Sequence, residues 1–281
     1  MASSATRGRG IGRGRGFGVP KTPSKPGETT YVQQNPSQSK STQEIDLKIL
    51  LSDLKEESLD DKVDKLSSYI CSSDSAGDHS ASKITQVVDS LIQRSMKDSE
   101  FSPLAAKVAN KLCSDETNGN TFRSALLKAT QENYKNRESI RRKSVSEWMG
   151  LVSLICELFN HLRTGGLPLK PLAGAVYQTL VELLRVEEAI VSQNKDEEED
   201  EIDCFYLNFK TVGKLLKSVD QAKFDDLVGG IRDMILADNT TGKTRCLLLE
   251  LLELYARDWN ISTDLERYYC DMLADIMAKD A

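Results

Sequence analysis

The residues that look most like a reaction site run from Ala237 to Thr244, in the order Ala-Asp-Asn-Thr-Thr-Gly-Lys-Thr. With alanine at the first position they satisfy a permissive phosphate-loop pattern, in which Lys243 would reach the phosphates of a nucleotide. That chemistry needs a strand feeding the loop and a helix leaving it, so that backbone N–H groups surround the phosphates. The residues before the loop instead place Leu227, Ile231 and Ile235 four apart, which is helical spacing. The segment therefore reads better as a corner between helices, turned at Asn239 or Gly242 and capped by Thr241 or Thr244. A nucleotide hydrolase built on Gly242, Lys243 and Thr244 is the less favoured reading.

A second candidate is the Arg-Gly tract Gly8–Gly18, which carries Arg7, Arg9, Arg13 and Arg15 on or beside it. It is not a dinucleotide fingerprint, because Arg13 stands where that spacing wants glycine and neither strand nor helix flanks it. Flexible glycines would let these guanidinium groups follow phosphates and stack on unpaired bases, with Phe17 stacking as well. RNA contact and a merely solubilising tail both fit these residues. The two histidines, His79 and His161, are far apart, and no His, Cys or acid cluster has metal-ligand spacing. No Ser-His-Asp or Cys-His set lies near a glycine-rich elbow. Neither catalysis nor a cofactor is expected.

Charge is the remaining chemistry. Arg137, Arg141, Arg142 and Lys143 crowd the entrance to a long apolar helix, with Ser144 and Ser146 behind them. Arg141, Arg142 and Lys143 form a candidate docking surface for acidic segments, and a phosphate on Ser144 would cancel part of their charge. The unbroken acids from Asp196 to Glu201 make the opposite surface, with Glu197, Glu198 and Glu199 as candidates for basic partners. Because like charges repel, this stretch reads as a solvated loop between helices. On that reading Arg141 and Arg142 are both exposed, and reversing them slows docking without changing thermal stability.

These segments are positioned by helices. In Val145–Leu162 the residues Val145, Trp148, Val152, Ile155, Phe159 and Leu162 step by three and four, and Leu151, Leu154 and Leu158 add a second stripe. A helix with two apolar sides belongs inside a stack, where a surface helix would show one. Thr164-Gly165-Gly166-Leu167-Pro168 stops it and begins an antiparallel partner. Similar stripes follow from Thr42 onward, with polar links at Ser72–Ser82 and Ser114–Asn120, and alternating strand patterns are absent. Ten or eleven helices result. Their pairs recur every ~40–47 residues, the spacing of HEAT-type repeats. The fold class is all-α: a HEAT-type solenoid of about five antiparallel helix pairs over residues 41–281.

Residues 1–40 have no apolar period and are expected to be disordered. They hold seven Lys/Arg against Glu28, a balance of +6, so the overall −6 leaves −12 for the other 241 residues. Nucleic acid, if contacted, would meet the basic tail first. No run approaches the ~20 apolar residues of a membrane span, and the N-terminus has no apolar core of a secretory signal. The six cysteines lie in or beside helical apolar patterns and form no C-x-x-C pair, which suggests reduced, buried thiols in the cytoplasm or nucleus.

The run Phe122–Leu184, followed by Ile202–Val219 and Leu247–Asn260, resembles the middle domain of translation initiation factor 4G, and is most similar to that family's small, free-standing members. Trp148, the Leu167-Pro168 corner, Cys204 and Trp259 carry the likeness. The resemblance implies a five-pair HEAT-type solenoid and a non-enzymatic adaptor. Such adaptors link an mRNA 3′-end-binding protein, of histone stem-loop-binding or poly(A)-binding type, to translation initiation factors or a DEAD-box RNA helicase. The Leu-Asn…Phe-x-Pro arrangement that would bind poly(A)-binding protein is missing from Leu47–Leu54, which favours the histone-mRNA branch. A homodimer remains open.

Overall fold

Helical periodicity from Thr42 onward produces, among the described residues, a structure built almost entirely of helices. The computed structural model describes residues 47, 49–51, 54, 56–71, 78–184 and 195–280. The expected disorder of residues 1–40, with Arg7, Arg9, Arg13 and Arg15, lies outside the described residues. The elements are α1 (Leu59–Cys71), α2 (Asp78–Lys97), α3 (Ser102–Cys113), α4 (Gly119–Lys135), a short α5 (Arg137–Lys143), α6 (Val145–His161), α7 (Lys170–Leu184), α8 (Lys195–Val219), α9 (Gln221–Leu236), α10 (Gly242–Ala256) and α11 (Thr263–Asp280). Leaving out α5, these form five consecutive hairpin pairs. Helices α1, α3, α6, α8 and α10 lie side by side, each packed on the next.

The stripes read from the sequence face inward. In α1, Val63, Leu66 and Ile70 are buried. In α6 the side chains of Trp148, Leu151, Val152, Ile155, Leu158 and Phe159 are fully enclosed. This helix packs against α2, α3, α7 and α8. Gly150 permits the closest of these approaches, since a Cβ there would lie 2.5 Å from the carbonyl oxygens of Ser95 and Met96 at the end of α2. Few residues other than glycine fit against backbone at that range.

The Thr164–Pro168 break is a miniature hairpin. Arg163 pairs with Pro168 and Thr164 with Leu167, antiparallel. Gly165 and Gly166 take φ of 59° and 81°. A two-residue turn with positive φ at both positions matches strand twist and strongly favours glycine. It is the one strand pair among the described residues.

At the far end the chain leaves α10 through two residues with left-handed backbone, Asp258 (φ 50°) and Trp259 (φ 63°). The Trp259 N–H donates to the Leu254 carbonyl at 2.9 Å. Its ring lies 5.9 Å from that of Phe209 and 5.8 Å from that of Phe224. Outside this cluster, Lys214 and Lys217 hold the Asp258 carboxylate at 3.3 and 3.2 Å. Those lysines keep the Asp258 carboxyl below the usual carboxylate range.

Two boundaries and the burial of two cysteines differ from the sequence reading. Helix α2 begins at Asp78, inside the expected Ser72–Ser82 loop. The acidic run belongs to the first turns of α8 and is not a loop. Two of the six cysteines, Cys71 and Cys270, are exposed, while the other four are buried, and all six are free thiols. Among the described residues no helix is long and apolar enough to cross a membrane.

Candidate protein-docking edge

Helix α5 sits between α4 and α6. Asn136 ends α4 with φ −91° and ψ 6° and starts the new helix. Glu138 stands in the first turn of α5, with Arg141, Arg142 and Lys143 in its last. That order suits the helix dipole, which favours acids at the start and cations at the end. No residue of α5 is buried, so long side chains anchor it. Arg137 donates from Nε and Nη2 to the Glu182 carboxylate at 3.0 and 2.9 Å, and its guanidinium lies 4.4 Å from the centre of the Tyr134 ring.

The candidate docking residues Arg141, Arg142 and Lys143 have different environments. Arg141 turns inward and grips Glu201 with two parallel bonds, Nε to Oε1 at 2.8 Å and Nη2 to Oε2 at 2.7 Å. The two side chains are only 11% and 6% exposed. This fork is the strong form of an arginine–carboxylate pair. Arg141 is therefore structural, because its guanidinium is committed to a buried acid. Arg142 is 69% exposed and faces Glu138 at 3.8 Å, one helical turn away. Lys143 is also exposed. Ser144 then caps α6, its hydroxyl accepting the Glu147 N–H at 3.2 Å. The Ser-x-x-Glu order is that of a capping box.

The acidic run that the sequence placed in a loop has cationic partners. Glu201 holds Arg141, while Glu199 and Asp203 hold the Lys243 ammonium at 3.4 and 2.8 Å. Partners of opposite sign, together with the positive start of a helix, offset the repulsion that argued for a loop. The side chains of Glu197 and Glu198 lie outside the described residues, although their backbone is helical. Burial pushes the Lys243 ammonium down, but Asp203 and Glu199 outweigh it and hold its pKa above the ordinary lysine value.

This pairing also corrects the phosphate-loop alternative. Helix α9, not a strand, leads into Ala237–Thr244. Thr241 is the N-cap of α10 and accepts the Thr244 N–H at 3.2 Å. The ammonium that would bind phosphate is occupied by carboxylates, so the segment is the helix corner that the spacing favoured.

The basic cluster, the acidic run and the phosphate-loop lysine thus lie along one edge, joined by ion pairs that connect α5, α8 and α10. A second network ties α8 to α10. Tyr206 donates to Glu250 at 2.7 Å and Lys210 reaches the same carboxylate at 2.9 Å. Burial, with Glu250 adding to it against Lys210, pushes the Tyr206 phenol up to about 12. Burial likewise drives the Cys204 thiol up to about 12. A thiol so far from ionising is a poor nucleophile. His161 sits 3.4 Å from Glu157 on its own helix. These groups hold helices together and present charge, and no nucleophile–base pair emerges among them. Glu182, Asp203 and Glu250 were not singled out from the sequence, because their partners are 40 to 45 residues away, and Glu201 was read within the acidic run without its arginine, 60 residues earlier.

The chain matches the MIF4G domain over residues 46–258. It is 32% identical over 196 residues to MIF4G domain-containing protein B of Danio rerio, covering 68% of this chain and 85% of that protein. Over 202 residues it is 29% identical to the MIF4G domain-containing protein of Homo sapiens, covering 70% and 88%. It is also 29% identical over 207 residues to the CBP80/20-dependent translation initiation factor of Xenopus tropicalis. That match spans 73% of this chain but only 34% of the longer factor.

Proposed function

The chain belongs to the MIF4G domain family, and from that premise we propose that it is a non-enzymatic adaptor in translation initiation. In this reading it links an mRNA 3′-end-binding protein, of histone stem-loop-binding or poly(A)-binding type, to translation initiation factors or a DEAD-box RNA helicase. It works in the cytoplasm and also in the nucleus. The observation that carries the reading is the division of labour in the fold. Most apolar side chains are enclosed between helices, with exceptions such as Leu207 and Leu236, while the α5–α8–α10 edge carries charge fixed in place by its own ion pairs. Helical stacks of this kind bind through extended surfaces. Fixed charge across an interface selects partners and raises association rates more than it adds affinity. A relative named for dependence on CBP80/20 supports a role near the start of translation. Within the edge, Arg142 and Lys143 are the surface we assign to acidic segments, and Glu197, Glu198 and Glu199 the one we assign to basic segments.

The test is a pull-down of purified initiation factors and helicase by the tagged full chain, with and without ribonuclease. Retention of a protein partner after ribonuclease supports the adaptor. If every partner is lost with the RNA, and binding falls steeply with salt and disappears with residues 1–18, the chain contacts RNA directly through Arg7, Arg9, Arg13 and Arg15.

A further inference from the structure

We infer that Ser144 is a phosphorylation site for an arginine-directed serine/threonine kinase, and that the phosphate switches off the positive end of the docking edge. The acceptor follows Arg141, Arg142 and Lys143 directly, a row of cations suited to a kinase cleft lined with acids. Ser144 sits between two helices in extended backbone, φ −160° and ψ 112°, the form a substrate strand takes in a cleft. Its flank α5 has seven residues and none of them is buried. Arg142 and Lys143 are already exposed, so these two cations can be presented to an enzyme while the Arg141–Glu201 pair holds. In the transfer, the γ-phosphorus of ATP forms a bond to Ser144 Oγ as its bond to the bridging oxygen of the departing ADP breaks. The hydroxyl proton passes to the kinase's base.

The ion pairs determine where the new charge acts. Arg141 stays with Glu201, since breaking a buried forked pair costs more than an exposed arginine–phosphate pair returns. The phosphate therefore meets the exposed Arg142 and Lys143 and the first N–H groups of α6, where negative charge is favoured. Phosphoserine carries roughly −1.5 to −2 at neutral pH, which about cancels the two exposed cations. The edge loses its positive end while α6 keeps its cap. This effect on docking rests on the adaptor reading, whereas phosphate incorporation does not, so the two can fail separately.

The experiment incubates the full chain with ATP and the catalytic subunit of an arginine-directed kinase, then maps phosphate by mass spectrometry. One phosphate on Ser144 is expected, with a thermal midpoint close to that of the unmodified chain. Ser144→Ala should abolish incorporation, and Ser144→Thr, which keeps both cap and acceptor, should restore it. Arg142→Ala should slow incorporation at least about tenfold. No incorporation, or phosphate on Ser139 or Ser146 with Ser144 bare, overturns the assignment. Phosphorylated chain that loses amide protection throughout α6 overturns the claim that the cap survives.

Discussion

Gly213 leaves the space that Trp259 fills. A Cβ on Gly213 would stand 2.4 Å from Cζ2 of the Trp259 ring, far inside van der Waals contact. Trp259 holds left-handed backbone, a conformation that costs of order 1–3 kcal/mol and persists only where the surroundings enforce it. The ring's seat against Phe209, Phe224 and Tyr255 supplies that enforcement.

Gly213→Ala tests this fit. In an open helix the change would stabilise by up to about 1 kcal/mol. Here a rigid ring must move, and overpacking of this kind costs about 1–3 kcal/mol. The clash should win, lowering the urea midpoint. Adding Trp259→Ala should make the glycine substitution nearly harmless, because the double variant no longer contains the collision.

Arg141→Ala should destabilise by roughly 3–5 kcal/mol, since it takes the forked partner from Glu201, whose side chain is 6% exposed. Replacing both members with apolar residues of similar size should recover most of the loss. Arg142→Glu should leave the thermal midpoint nearly unchanged, because that side chain is 69% exposed. Equal effects of Arg141→Ala and Arg142→Glu in denaturant titrations would show that the fork contributes nothing.

Lys243→Ala should cost at most about 1 kcal/mol, since Glu199 and Asp203 are themselves part-exposed. Its pH signature follows from a folded pKa raised above the ordinary lysine value. The contribution is fully present below the unfolded pKa of about 10.5 and is lost as pH rises through the folded one. The stability difference between wild type and variant should be flat from neutral pH to about pH 9 and shrink above 10.5. Nucleotide hydrolysis should be absent from both proteins.

Phe159→Ala should cost about 3–5 kcal/mol, the range for emptying a buried aromatic site, because Phe159 is fully enclosed in α6. A calorimetric scan showing a near-neutral change would move that ring to the surface.

The helices were legible in the sequence because burial writes a period of three and four into Val145–Leu162. The Gly165-Gly166 break was legible because only glycine tolerates two successive positive φ values easily. The ion pairs were not. Nothing in Asp196–Glu201 announces an arginine 60 residues before Glu201 or a lysine 44 residues after Glu199, so local repulsion suggested a loop where the structure has a helix. Cys71 and Cys270 followed helical patterns yet stand on open faces. A period shows that a helix has an inner side, but which flanking residues the neighbours cover depends on tertiary contacts.

In a strictly one-dimensional array each repeat contacts only its neighbours, and unfolding can start at one end and move unit by unit. Helix α6 breaks that rule, because it opens the third pair yet packs on α2 of the first, backbone against backbone at Gly150. The first three pairs are therefore expected to melt as a single cooperative block. Deleting the first pair would not shorten the array by one unit. It would strip a wall from the most enclosed of the described helices, so the smallest autonomous folding unit should extend from α1 at least through α7.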